Sequence, residues 1–176
     1  MQQAVITPQQ FLDLNEQIGG YDHDANYTLS RSAGDVAAIK RVYQSGVTLG
    51  AGGGLASIPV FDAGAYNEAG GYHYQWFHFA VRERMRKQNG HADNHLMWRG
   101  VVPPERSWAV LERWVTNIKS DHSSASAHEK VVRNKPSDAV DGCWPGVGEG
   151  STPRFVAEPQ TFSAHPDSEC NKALPS

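Results

Sequence analysis

The stretch RKQNGHADNHLMW, residues 86–98, sets His91 and Asp93 just past Gly90 and just ahead of a short apolar run. An imidazole beside a carboxylate can work as a general base, because the carboxylate fixes the tautomer and stabilises the imidazolium formed on proton transfer. Three carboxylates compete for that orienting role. Asp62 follows the apolar run Leu55 to Phe61, Glu68 lies six residues beyond it, and Asp93 is local to His91. The alternative is a polar capping turn, with His91 and Asp93 bonded to backbone groups. His73 and His78 stand five residues apart, off the i,i+4 spacing that lets two helical histidines share a metal. His73, close to Glu68, is the second candidate for acid–base work, whereas His78, between Phe77 and Phe79, reads as a packed histidine.

In YDHDANYTLS, Asp22, Asp24 and Asn26 recur at alternate positions, as the first three oxygen ligands of a calcium loop do. Tyr27 and Ala33 occupy the places of the turn glycine and the bidentate glutamate, so a complete EF-hand is excluded. Two readings stand. One is a calcium loop of another design, drawing on the Thr28 carbonyl and Asp35. The other is an Asx-rich connection whose side chains bond their own backbone.

Several chemistries are excluded. The chain has no G-x-S-x-G nucleophile elbow, no P-loop and no dinucleotide fingerprint in the right context, and the glycine-rich GAGGGLA precedes a strand rather than a helix. A net charge of -3 and a pI near 6.2 leave no basic footprint for nucleic acid. No apolar stretch reaches the roughly 18 residues of a membrane span, and MQQAVITPQQ lacks the regions of a signal peptide.

The elements that must position these residues are legible in outline. Thr7, Pro8 and Gln10 form a T-x-x-Q capping signature that predicts a helix from Pro8 to Ile18. GDVAAIKRVYQSG predicts a second helix, with Val36, Ile39, Val42 and Tyr43 on one face. Leu55 to Phe61 reads as a buried strand delivering Asp62 at its carboxyl end. Tyr72 to Lys87 reads as a helix stopped by Gly90, HLMW as a short strand, and ERSWAVLERWVTNIKSD as an amphipathic helix. This alternation predicts a piece of an α/β layer architecture. With 17 Gly and 10 Pro, much of the rest must be loop, and residues 122–176 are expected to be an irregular tail docked on the α/β segment 1–121. Cys143 and Cys170 lie in that tail, either as a disulfide or as two free thiols.

The blocks ITPQQFLDLNEQIGGYDHDAN, GGGLASIPVFD, FAVRERMRKQNGHADN and VVRNKPSDAVDGCW together resemble the C-terminal part of an uncharacterised bacterial family of secreted proteins. That family has an α/β-hydrolase-like, tannase-like architecture, and the resemblance runs from about Ile6 to Cys170. It implies a partial α/β-hydrolase-like layer, few strands with flanking helices, whose serine-bearing half lies upstream in longer members. It further implies Asp62 as the acid of a late strand, His91 as the family-like histidine, a tail disulfide between Cys143 and Cys170, and a secreted or periplasmic location. One departure is that a hydrolase of this type carries its histidine after the last strand, whereas His91 precedes HLMW. The expected function is hydrolysis of carboxylic esters or lactones, acyl-homoserine lactones among them. His91 would be the base, oriented by Asp62 or Asp93, with Ca2+ at Asp22, Asp24 and Asn26. The competing expectation is a non-catalytic interaction module that docks onto a missing half-domain or onto a second copy in a homo-oligomer.

Overall fold

In the computed structural model, residues 5–49, 54–68, 73–146, 154–163 and 167–175 are described. Residues 50–53 of the glycine-rich run, and Tyr72 at the expected helix start, lie outside them. Two compact units divide the chain, Met1–Val42 and Tyr43–Ser176.

In the first unit, α1 (Pro8–Gln17) starts with the capping box read from the sequence: Thr7 and Gln10 exchange side-chain-to-backbone hydrogen bonds. A two-stranded antiparallel ribbon follows, β1 (Gly20–Tyr21) with β2 (Tyr27–Thr28), and α2 (Val36–Ser45) begins where the Asp35 carboxylate accepts from the Ala38 amide. Neither helix buries a side chain.

The second unit is built on a sheet of strand order β3-β4-β5-β6. Its members are β3 (Val60–Gly64), β4 (His95–Gly100), β5 (Gly142–Trp144) and β6 (Val156–Ala157), the first three parallel and the last antiparallel. Every residue of β4 is buried, as expected of a central parallel strand covered on both faces. Strand alternation then sorts its side chains. Leu96 and Trp98 face an apolar layer with Val110 and Trp114 of α4 (Pro104–Ser120) and Val131 of α5 (Ala127–Arg133), with Phe61 of β3 packed against it. His95 and Arg99 face the other way, toward α3 (Trp76–Asn89), where Arg82 meets His95 and the Phe79 ring lies 5.0 Å from the Arg99 guanidinium. One face of the sheet is therefore apolar, and the other mixes His95 and Arg99 with the apolar Met97 and Phe79.

Three expectations change. Leu55–Ser57 forms a 3-10 turn rather than strand, pinned by the Asn94 amide, which donates to the Leu55 and Ile58 carbonyls at 2.8 Å each. Asp62 consequently sits in the middle of β3 and not at its end. The region beyond Asp121 is not an irregular appendage, since it supplies α5, β5, β6 and α6 (Glu169–Ala173), and β5 pairs directly with β4. Cys143 of β5 and Cys170 of α6 are joined by a disulfide. The chain is thus a mixed helix and strand fold with a small mixed sheet, a partial α/β layer. Among the described residues no helix is long and apolar enough to cross a membrane.

Candidate functional site

Pleating turns Asp62 of β3 toward α3, on the same face of the sheet as His95. Helical spacing brings His78 and Arg82, four residues apart, onto the face of α3 that meets it. His78 Nδ1 lies 2.6 Å from Asp62 Oδ1. A carboxylate there can only accept, so Nδ1 carries the proton and Nε2 of the neutral ring is left as a lone pair. Gly64, two residues along β3, makes room for the ring: a Cβ on it would come within 2.9 Å of Nε2.

Behind Asp62 runs a buried chain of polar contacts. Asp141 takes both terminal nitrogens of Arg82, with the Nη2 to Oδ1 distance at 2.8 Å, and also accepts from the Met97 amide at 3.0 Å. Arg82 Nε donates to His95 Nδ1 at 2.9 Å. That bond occupies the Nδ1 lone pair, which places the His95 proton on Nε2, facing Asp62 Oδ2 at 3.5 Å. At 3.5 Å the contact is too long for a good hydrogen bond and is better described as an attraction between the N–H dipole and the carboxylate. The result is a hydrogen-bonded run from Asp141 through Arg82 to His95, set against the separate Asp62–His78 hydrogen bond across the longer His95–Asp62 contact.

Electrostatics follow from this order. Burial alone would raise the Asp62 carboxyl, but the hydrogen bond from His78 and the proximity of His95 hold it well below the usual carboxylate range. The Asp62 hydrogen bond raises His78 above its ordinary 6.5 against the opposing effect of burial and of the Arg99 charge. Asp141 is likewise opposed by burial and kept low by Arg82. His78 is the half-buried end of the chain, its side chain 27% exposed.

The residues singled out from the sequence divide differently. Asp62 is oriented on His78 and His95, and His91 lies instead 3.1 Å from Asp93 and stacked on His128, with ring centroids 3.9 Å apart. The pairing of Asp62 with His91 is therefore replaced. His73 is exposed ahead of α3, and the Glu68 carboxylate accepts the Gln75 amide at 2.5 Å, which caps the start of that helix. Asp22 accepts the Asp24 and Asn26 amides at 2.9 Å and the Asn26 side chain at 3.3 Å, an Asx turn at the tip of the β1–β2 ribbon. Those bonds lower the Asp22 carboxyl, that from the Asn26 amide most. His78 reads from the sequence as a packed histidine and Arg82 as either a carboxylate holder or part of a solvated charge run, and here Arg82 holds the Asp141 carboxylate; His95 and Asp141 carry no signal of their own in the sequence. The available signal was the i,i+4 spacing of His78 and Arg82 on a helix whose inner face otherwise holds Phe79 and Met85.

An open groove of about 560 Å3 lies along α3, lined by Trp76, Phe79, Glu83 and Phe162, and it shares Arg82 with the polar chain but neither Asp62 nor His78. A second cleft, about 470 Å3, is lined by Arg82, Arg86, Lys135, Asp93, His95 and Asp141. The chemistry is better located by the hydrogen bonds than by the larger groove. A family model described as a tannase-like family of unknown function (DUF6351) matches residues 1–176. No curated protein and no solved structure matches the chain.

Proposed function

The chain belongs to this tannase-like family, and from that membership together with the Asp62–His78 pair we propose that it carries the acid–base residues of a carboxylic ester or lactone hydrolase. The observation that carries the reading is the 2.6 Å contact that leaves the half-buried His78 with its Nε2 lone pair in a fixed orientation. In the proposed reaction, Nε2 takes a proton from water or a hydroxyl as its oxygen attacks the acyl carbon. The imidazolium then returns that proton to the departing alkoxide, while Asp62 remains a carboxylate throughout. Exposed Tyr74, Trp76 and Phe77 beside His78 in sequence favour an apolar or aromatic ester over a highly charged one.

A second reading rests on a different observation. In residues 1–42, Phe11, Leu14 and Ile18 of α1 and its C-cap, and Val36 and Ile39 of α2, are all exposed, which suits a docking module with no catalysis of its own. A panel of p-nitrophenyl esters and lactones, acyl-homoserine lactones included, separates the two. Hydrolysis by the wild-type chain, lost in His78→Ala and retained in His91→Ala, is expected. Loss in His91→Ala with retention in His78→Ala moves the base to His91. No turnover of any substrate leaves the module reading.

A further inference from the structure

Three side chains outside the Asp62–His78 chain converge without the partners their chemistry requires. His91 and Asp93 come from the turn between α3 and β4, and His128 from the first turn of α5. One ligand atom from each lies within 4.8 Å of the others. His128 Nδ1 is 2.9 Å from the Ala56 carbonyl oxygen. A carbonyl only accepts, so Nδ1 is the protonated nitrogen and His128 Nε2 presents a lone pair, 3.5 Å from Asp93 Oδ1. On the other side His91 Nδ1 is itself shielded from solvent, 3.1 Å from the same oxygen, yet makes no hydrogen bond among the described residues.

Two imidazole nitrogens and a carboxylate oxygen are thus gathered in one place, and one of the nitrogens, His128 Nε2, presents a lone pair there. We propose that His91, Asp93 and His128 bind a divalent transition metal ion of the zinc type, and that the carbonyl of Ala56 orients His128 as a ligand.

Geometry and chemistry both favour this class of ion. Zinc bonds of about 2.0–2.1 Å in tetrahedral array separate neighbouring ligand atoms by about 3.3–3.4 Å. The two contacts to Asp93 Oδ1, at 3.1 and 3.5 Å, bracket that spacing. Two imidazoles with one carboxylate suit zinc, cobalt or nickel, whereas calcium and magnesium prefer all-oxygen shells. The backbone carbonyl on the far nitrogen of His128 is the support that ligating histidines characteristically have. Three protein ligands leave a position open, the count found where zinc acts on a bound molecule rather than merely holding a fold. Asp93 also lines the cleft that holds Arg82, Arg86 and Lys135, so an anion in that cleft would meet the metal at its edge. Lys135 reaches the Asp93 carbonyl oxygen rather than its carboxylate, at 3.3 Å, which leaves the carboxylate for the ion.

The test uses the full chain stripped with a chelator and dialysed. Zinc titrated by calorimetry should bind at one equivalent, raise the melting temperature by mass action, and resist competition by calcium. Asp93→Asn and His128→Gln should each weaken zinc at least about tenfold, while His122→Gln, outside the cluster, should not. Metal-free melting and circular dichroism confirm that the variants fold. Should either fail to fold, X-ray absorption at the zinc edge of the wild-type chain decides: two imidazoles and an oxygen shell are expected. Absence of zinc binding, binding undiminished in both folded variants, or fewer than two imidazoles on the ion overturns the proposal. None of these readouts depends on hydrolysis, so failure of the ester-hydrolase reading leaves the metal site standing, and the reverse.

Discussion

At the scale of single residues, His78 and Asp62 make opposite demands on pH. His78 is raised above 6.5 by Asp62, so its contribution to stability is complete below 6.5 and is lost as pH rises through the raised value. Asp62 is lowered from 3.8, so its contribution is present above 3.8 and is lost as pH falls toward the lowered value. The pair therefore stabilises the fold most between those two reference values. Hydrolysis needs the neutral ring, and its rate should climb with pH through a limb centred above 6.5. Asp62→Asn removes the negative charge that raises His78, leaving at most a neutral amide acceptor, and keeps the burial that lowers it, so the limb should move to lower pH while the maximum rate falls. A pH–rate profile in which the limb stays put would remove Asp62 from the assignment. Asp22 supports a simpler expectation: its carboxylate accepts three hydrogen bonds inside its own turn, as the Asx-rich reading of this stretch requires. Chelation should leave the melting of residues 1–42 unchanged, as followed by amide exchange. A calcium-dependent rise abolished by Asp22→Ala with Asp24→Ala would establish a calcium loop there instead.

At the scale of elements, the strand β3 and the helix α3 position the pair jointly, and Gly64 is where they approach most closely. In Gly64→Ala the new methyl would stand 2.9 Å from His78 Nε2, tighter than ordinary contact, so the ring must swing away from Asp62 or β3 must shift. Turnover should fall at least about tenfold with a stability loss of about 1–3 kcal/mol. Unchanged kcat with an unmoved histidine resonance would show that the ring has slack. This arrangement also explains what was readable beforehand. The start of α1 was legible because Thr7 and Gln10 satisfy each other locally. The stop of α3 was legible because Gly90 adopts φ 81°, which a residue without a Cβ takes at little cost. The partner of Asp62 was not, because His78 is 16 positions away and meets it only after a strand face and a helix face are superposed. Flanking phenylalanines made it look like core. His91 offered the stronger local signal, and its neighbour Asp93 is indeed its contact, but that contact says nothing about Asp62.

At the scale of the whole molecule, the region after Asp121 was the least legible part because its order comes from distant partners. Short β5 has meaning only beside β4, and α6, five residues long, is held by what it covers. Arg99 of β4 is fully buried, and its guanidinium bonds are to neutral acceptors: the Gln160 side chain at 2.6 Å, the Asn171 side chain at 2.8 Å and the Leu174 carbonyl at 3.0 Å. Burial pushes Arg99 down to about 10, against the attraction of Glu158 and other groups. A charge so placed is costly unless α6 stays in position to supply two of those three bonds. The disulfide between Cys143 and Cys170 holds it there, since one sulfur is on β5 and the other on α6, 27 residues apart in sequence. Reducing the bond, or making the Cys143→Ala, Cys170→Ala double variant, should cost about 2–4 kcal/mol from chain entropy. Release of the Arg99 acceptors should add to that, so the loss should lie at the upper end of the range or beyond it. The Gln160, Asn171 and Leu174 segments should gain amide exchange first, before β3 and α3. Hydrolysis measured well below the melting temperature should persist, because neither Asp62 nor His78 bonds to α6. Equal melting of the oxidised and reduced chains would mean that burial of Leu174 and the Arg99 bonds hold α6 without the disulfide.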